Sequence, residues 1–226
     1  MSSELKYLGH SAFYIKTENH GILIDPFITQ NPQATFDTSL DIVTDIIVTH
    51  GHNDHLGDAI PISRSSQAEI IAVFELANYC NAQGARALPV GLGGEIKREW
   101  GSVWFLPAFH SSSLPDGRYA GCPASVLLDI DGVKIFHAGD TAVNKEMELV
   151  GDLYKPYYAL LPIGGHFTMG IKEAAVAARL LKAKEIIPMH YNTFDVIQAE
   201  TLEFEMLIES QKQKCLPIRP GESITF

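Results

Sequence analysis

Four apolar, strand-like runs in this chain each stop at a side chain able to bind a metal ion. "DIIVTH" ends at His50, "SVWFLPAFH" at His110, "VKIFHAGD" at Asp140 and "EIIPMH" at His190. Such a pattern constrains the fold strongly, because it has a purpose only where distant strand ends meet along one edge. Buried strands open into loops at such edges, and binding groups collect there. The densest piece is "HGHNDH", residues 50–55, which places His50, His52, Asp54 and His55 within six positions. Four such groups crowded together would repel one another on protonation and leave imidazole nitrogens without partners. Metal binding gives each of them a role.

The surrounding sequence predicts an α/β protein. "LKYLGHSAFYIKT" and "GILIDPF" read as β-like runs separated by the hairpin-type break "ENHG". "DIIVTH" is a continuous apolar strand of the kind buried on both faces. "LGDAIPISRSS" and "FELANYCNAQ" read as helices around the strand "EIIAVF". A second run of strands, "GSVWFLPAFH", "CPASVLLDI" and "VKIFHAGD", carries a tight turn at "DGV". The remainder alternates between strands ("YYALLPIG", "EIIPMH") and helices ("GIKEAAVAARLLKA", "ETLEFEMLIES"). No repeat or linker divides the sequence, so residues 1–226 are expected to form one domain. Two packed mixed sheets with helices on their outer faces accommodate both the meander and the βαβ-like units.

Composition narrows the function classes. A formal charge of −10 disfavours nucleic acid, whose affinity comes from clustered Lys and Arg. No apolar run reaches the roughly 18 residues of a membrane span, and the N-terminal stretch lacks a secretory pattern. Cys80, Cys122 and Cys215 are odd in number and unpaired in spacing, which points away from disulfides and cysteine-based zinc sites. They read as buried small hydrophobes in a reducing compartment, and the expected location is the cytoplasm.

Local geometry supports a shared ion site. Extended backbone puts residues i and i+2 on one face, so His50 and His52 can reach the same ion. Asp54 and His55 fall where the chain turns into a helix and can serve another ion. A catalytic zinc takes three protein ligands and keeps one position open, so further ligands must come from His110, Asp140 and His190. Imidazole and carboxylate donors without thiolate suit zinc, and also manganese, iron or nickel.

These residues resemble the metallo-β-lactamase superfamily. Its His-x-His-x-Asp-His signature is matched at every specified position by "HGHNDH", and the ordered pieces "ILIDPF" (Asp25), "PAFHSS" (His110), "HAGDT" (Asp140) and "IPMHYN" (His190) span nearly the whole chain. The segments "YLGHSAF" and "LLPIGGHFTMG" are similar to a branch of compact metal-dependent hydrolases that also resembles ascorbate-phosphate lactonases. The resemblance implies a four-layer αβ/βα sandwich with a dinuclear site at one edge of the sheets. It assigns His50, His52 and His110 to one metal, Asp54, His55 and His190 to the second, and Asp140 to both. Two divalent ions, zinc foremost, would activate water against a small-molecule ester, lactone or phosphoester. Asp54 is in addition a candidate orienter or proton acceptor for that water.

Two alternatives stand beside this reading. Oxidative diiron relatives typically carry glutamate at the second histidine of the signature, and His52 speaks against that chemistry. A non-catalytic module that retains the site is the other. His10 and His166 are candidate catalytic or substrate-contacting residues, and Asp25 is a candidate acceptor for the outer N–H of a metal-bound imidazole. His137 reads as core or as support for the ligands, Thr168 as a helix cap and "GLGGE" as a turn between strands. Partners are expected to be a small-molecule substrate, with homo-oligomerisation open.

Overall fold

The computed structural model describes residues 2–34 and 42–226. β1 (Glu4–Gly9), β2 (Ala12–Lys16), β3 (Gly21–Ile24), β4 (Asp45–Ile47), β5 (Glu69–Val73) and β6 (Arg86–Val90) build one sheet, to which the late strand β14 (Ser223–Thr225) adds. The strand order is β14-β1-β2-β3-β4-β5-β6. β7 (Glu95–Arg98), β8 (Gly101–Pro107), β9 (Ala124–Ile130), β10 (Val133–His137), β11 (Tyr158–Pro162), β12 (Glu185–Met189) and β13 (Lys214–Cys215) build the other, in the order β13-β12-β11-β10-β9-β8-β7. From β14 to β3 every pairing is antiparallel, and from β3 to β6 every pairing is parallel. The second sheet changes in the same way, antiparallel from β7 to β10 and parallel from β10 to β13.

The parallel strands explain the continuous apolar runs. β4 and β11 are buried at every position, and β5 and β12 at all but the first, because both faces of these strands are covered. A single apolar cluster draws side chains from both sheets, Phe13 and Ile24 from one and Phe105 and Phe136 from the other. α2 (Ala59–Ser66) and α3 (Phe74–Ala82) pack on the first sheet. α5 (Ile171–Leu181) packs on β11, α6 (Thr201–Ser210) on β13, and α4 (Glu146–Tyr154) beside α5. α5 turns four alanines and Leu181 inward, and that small face lets the helix lie close to the sheet. The result is the four-layer α/β sandwich expected from the sequence.

Within "LKYLGHSAFYIKT", β1 and β2 pair with each other, and the chain reverses at His10 and Ser11. The reversal buries His10 at the sheet edge. Cys80 and Cys215 are buried as expected, whereas Cys122 is exposed in the loop before β9. Among the described residues no helix is long and apolar enough to cross a membrane.

Candidate metal centre

Four of the predicted ligands leave the carboxyl ends of strands. His50 follows β4 and His110 follows β8, while Asp140 and His190 follow β10 and β12. A short helix, α1 (Asn53–Leu56), turns Asp54 and His55 back toward the same edge. Gly51, between His50 and His52, sits where a Cβ would lie 2.4 Å from the Ala120 side chain and 2.9 Å from the Ser113 carbonyl. The glycine lets this loop press against the segment that follows His110.

The backbone at this edge is held in uncommon conformations. His10, Asp25, His166 and His190 all have positive φ, between 44° and 58°, a region that costs roughly 1–3 kcal/mol for residues with a Cβ. Hydrogen bonds hold several of them there. The His190 amide donates to the His10 carbonyl at 2.7 Å, and the Tyr7 hydroxyl donates to the same carbonyl at 3.0 Å. One tight turn of each sheet is thereby tied to the other.

Ligand atoms converge in three overlapping groups: His50, His52 and His110; His50, His55 and Asp140; and His10, Asp54, His55 and His190. Within each group the donor atoms lie within 4.8 Å of one another. Asp140 stands between them. Its Oδ1 is 3.1 Å from His55 Nε2, and its Oδ2 is 3.4 Å from His110 Nε2 and 3.2 Å from His190 Nε2. The structure thus assembles His50, His52, Asp54, His55, His110, Asp140 and His190, and it adds His10 to them.

A deeper shell fixes the imidazole tautomers. Buried Asp25 accepts the Thr49 amide at 2.8 Å and the Thr49 hydroxyl at 2.7 Å. With its proton committed to the carboxylate, the hydroxyl accepts from His50 Nδ1 at 3.0 Å, which leaves a lone pair on Nε2 facing the site. Asp25 also accepts His55 Nδ1–H directly at 2.7 Å, turning His55 Nε2 the same way. One carboxylate therefore orients two imidazoles. The sequence points to Asp25 as such an acceptor but not to Thr49. Its position beside His50 in "VTHGH" is the signal that could have found it.

Electrostatics match a cation-binding set. Burial pushes His50, His52 and His110 below the ordinary imidazole value, so they present lone pairs. Burial lowers His10 to about 4 despite its contact with Asp54. Burial opposes charge on Asp54 and Asp140, but the surrounding histidines outweigh it and hold both carboxyls below their usual range. His55 is the exception: burial opposes its charge too, yet Asp140, Asp25 and Asp54 together raise it. The carboxylates that would stabilise a cation stabilise a proton on this ring.

The residues present fit a metal. His55 Nε2, Asp140 Oδ1 and both ring nitrogens of His190 are buried and make no hydrogen bond. Buried polar atoms are rarely left so, and all belong to residues whose donor atoms converge at this point. His50 Nε2 and His52 Nδ1, 3.0 Å apart, can share a proton or a cation.

His10 is fully buried and lies behind Asp54. Its Nε2 donates to Asp54 Oδ2 at 3.0 Å, and its Nδ1 meets the Thr193 hydroxyl at 3.1 Å. No pattern in the sequence marks Thr193. His166 lies in the loop after β11, its ring 4.4 Å from that of Phe167. A cavity of about 310 Å³ opens over the ligands, lined by His52, Asp54, His110, Ser111, Asp140, Phe167 and His190. Neither His10 nor His166 lines it. His137 is core, with its Nε2 donating to the Ser11 carbonyl. Thr168 does not cap α5, whose N-cap is Gly170.

A larger cleft of about 570 Å³ lies at the opposite end of β4 and β5. Its central charges are paired with one another: Arg98 pairs with Asp45 at 3.1 Å and with Glu69, and Trp100 Nε1 donates to Asp45. The convergent, unpartnered donors are at the ligand edge, so the chemistry belongs there.

Residues 4–190 match the family described as Beta-lactamase superfamily domain. The chain is 46% identical over 225 residues to a UPF0173 metal-dependent hydrolase of Pyrococcus horikoshii, with 98% of both proteins covered. It is 43% identical over 226 residues to one of Methanosarcina mazei, covering 98% of this chain and 97% of the other. The solved structure of Igni18, a novel metallo hydrolase from Ignicoccus hospitalis, aligns with a TM-score of 0.92 at 37% identity, covering 100% of this chain and 99% of that one. Fold and site together define the metallo-hydrolase class of the β-lactamase superfamily, and within it the chain belongs to the UPF0173 metal-dependent hydrolases.

Proposed function

We propose that this protein is a dinuclear metal-dependent hydrolase of small-molecule esters, lactones or phosphoesters, with zinc as the ion its donors suit best. The observation that carries the reading is Asp140. Its two oxygens face His55 on one side and His110 and His190 on the other, a position suited to joining two ions. His50, His52 and His110 would hold the first ion, and Asp54, His55 and His190 the second. Bound there, divalent ions supply Lewis acidity that lowers the pKa of water and draws charge from a carbonyl or phosphoryl oxygen.

The chain's own residues supply the rest. Asp54 lines the cavity, and its carboxylate is fixed by His10, so it can orient water and accept its proton. His10, buried behind it, acts as a positioning residue. Asp25 and Thr49 keep His50 and His55 in the ligating tautomer. His52 and the remaining imidazole donors favour hydrolysis over the diiron oxidative reading.

The test is metal analysis joined to activity. His52→Ala and Asp140→Ala are expected to lose bound metal and to lower turnover at least 100-fold on ester, lactone or phosphodiester substrates. Full metal occupancy in both variants would sink the dinuclear assignment. A metal-loaded protein without turnover on any of these panels would sink the hydrolase assignment and leave a binding module.

A further inference from the structure

The cavity over the ligands is unusual in what it lacks. Among the described residues, apart from the candidate ligands it offers only Ser111 and Phe167, and none that line it is Lys or Arg. Arg118 lies in the loop after His110, but it is committed elsewhere: it pairs with Asp116 at 2.7 Å and lies over the Tyr79 ring. The formal charge of the chain is −10. A phosphate or carboxylate carried away from the reacting centre would find no cation here, and anion recognition ordinarily uses Arg, Lys or clustered backbone N–H groups.

Phe167 is the second observation. Its side chain enters the lining, although the residue is 56% exposed. The loop that carries it is tight. Gly164 and Gly170 form a bridge, Gly165 N donates to the Met169 carbonyl at 3.0 Å, and Thr168 N donates to the Gly165 carbonyl at 3.1 Å. The His166 ring meets Phe167 edge-on. The fold therefore holds an aromatic face in water at the mouth of the ligand cavity. Aromatic surface of this kind has most to gain when an apolar group covers it.

We infer that the substrate carries an uncharged, apolar or aromatic substituent that lies on Phe167, and that it has no second anionic group beyond the reacting carbonyl or phosphoryl. The inference rests on the hydrolase reading above and narrows it. It departs from the substrate implied by resemblance to ascorbate-phosphate lactonases, which would bring a phosphate into a cavity without a cation to receive it. His166 becomes the residue that supports the aromatic face.

Matched substrates test this on the metal-replete full chain. 4-Nitrophenyl butyrate and the 4-nitrophenyl hemiester of glutarate share a reacting carbonyl and differ by a distant carboxylate. Propyl 4-nitrophenyl phosphate and 3-carboxypropyl 4-nitrophenyl phosphate make the analogous phosphodiester pair. In whichever pair is hydrolysed, kcat/KM is expected to be at least tenfold higher for the member without the extra charge. Phe167→Ala is expected to raise KM for that member at least fivefold with kcat within twofold, and Phe167→Arg to narrow the preference at least fivefold. Circular dichroism and bound-metal content should be unchanged in both, since Phe167 is exposed. Equal or faster turnover of the more charged member overturns the inference while leaving the hydrolase reading intact. An unaltered KM in Phe167→Ala also overturns it. Absence of turnover on all four compounds and on the lactone panel, with metal bound, overturns both.

Discussion

Asp25 carries more of the site than any single ligand. Removing its carboxylate leaves the Thr49 amide, the Thr49 hydroxyl and His55 Nδ1 without their acceptor. Asp25→Ala is therefore expected to destabilise the protein by roughly 3 kcal/mol in chemical denaturation. Metal affinity, measured by competition with a chromogenic chelator, should fall by about 10–100-fold. Thr49→Val tests the branch to His50 alone and should weaken metal binding with a smaller stability loss. The cysteines give a separate residue-scale prediction. Burial pushes the thiols of Cys80 and Cys215 up to about 12, while Cys122 is exposed. A thiol reagent at pH 8 should label one cysteine in the native protein and three in denaturant. In the unfolded chain thiols ionise near about 8.5, while the buried pair keeps its protons. The folded state then binds more protons, and this contribution to stability declines as pH rises above about 9.

Among the elements, the strand-end loops depend on close backbone approach. At Gly164, after β11, a Cβ would come within 2.3 Å of the His190 carbonyl and 2.8 Å of the Ile197 side chain. Gly164→Ala is expected to displace His190 and lower metal content per chain at least twofold, with little change in far-ultraviolet circular dichroism. A variant with full metal content would show that the loop can yield. These elements also show how legible the protein was. The buried parallel strands were readable because a short continuous apolar run suits a strand covered on both faces. The ligands were readable because several such runs close on His or Asp, which only a shared edge makes useful. The pairing of β1 with β2 was not, since a break at "GHS" leaves open which strands become neighbours. Thr193 and Phe167 act through contacts across the fold, from 183 positions away in the case of Thr193 and His10. No local pattern reports them.

The molecule as a whole gathers buried imidazoles and carboxylates that only a cation can satisfy together. Metal binding to the native state alone adds about 4 kcal/mol at a free concentration near 1,000 times Kd. For a chain of this size, this corresponds to roughly 10 °C in Tm. Calorimetry with and without a chelator should show a shift of that order, and superimposable scans would argue against a built metal site. The opposite end has its own ion pair. Arg98→Met removes the partner of buried Asp45 and is expected to cost about 2 kcal/mol, less than a fully buried pair because Arg98 is partly exposed. Metal content should be unaffected.

The matching order of pairings in the two sheets has one more consequence. β1 to β6 and β8 to β13 occupy equivalent places, each series flanked by one outer strand. His10 then stands after β1 where His110 stands after β8, and Asp25 after β3 where Asp140 stands after β10. The two sheets follow one topological plan, although the sequence carries no repeat. Corresponding turns have divided the labour, with Asp25 turned inward to brace imidazoles and Asp140 turned outward among the ligands. Neither sheet holds a complete donor set, so the centre exists only at the seam between them.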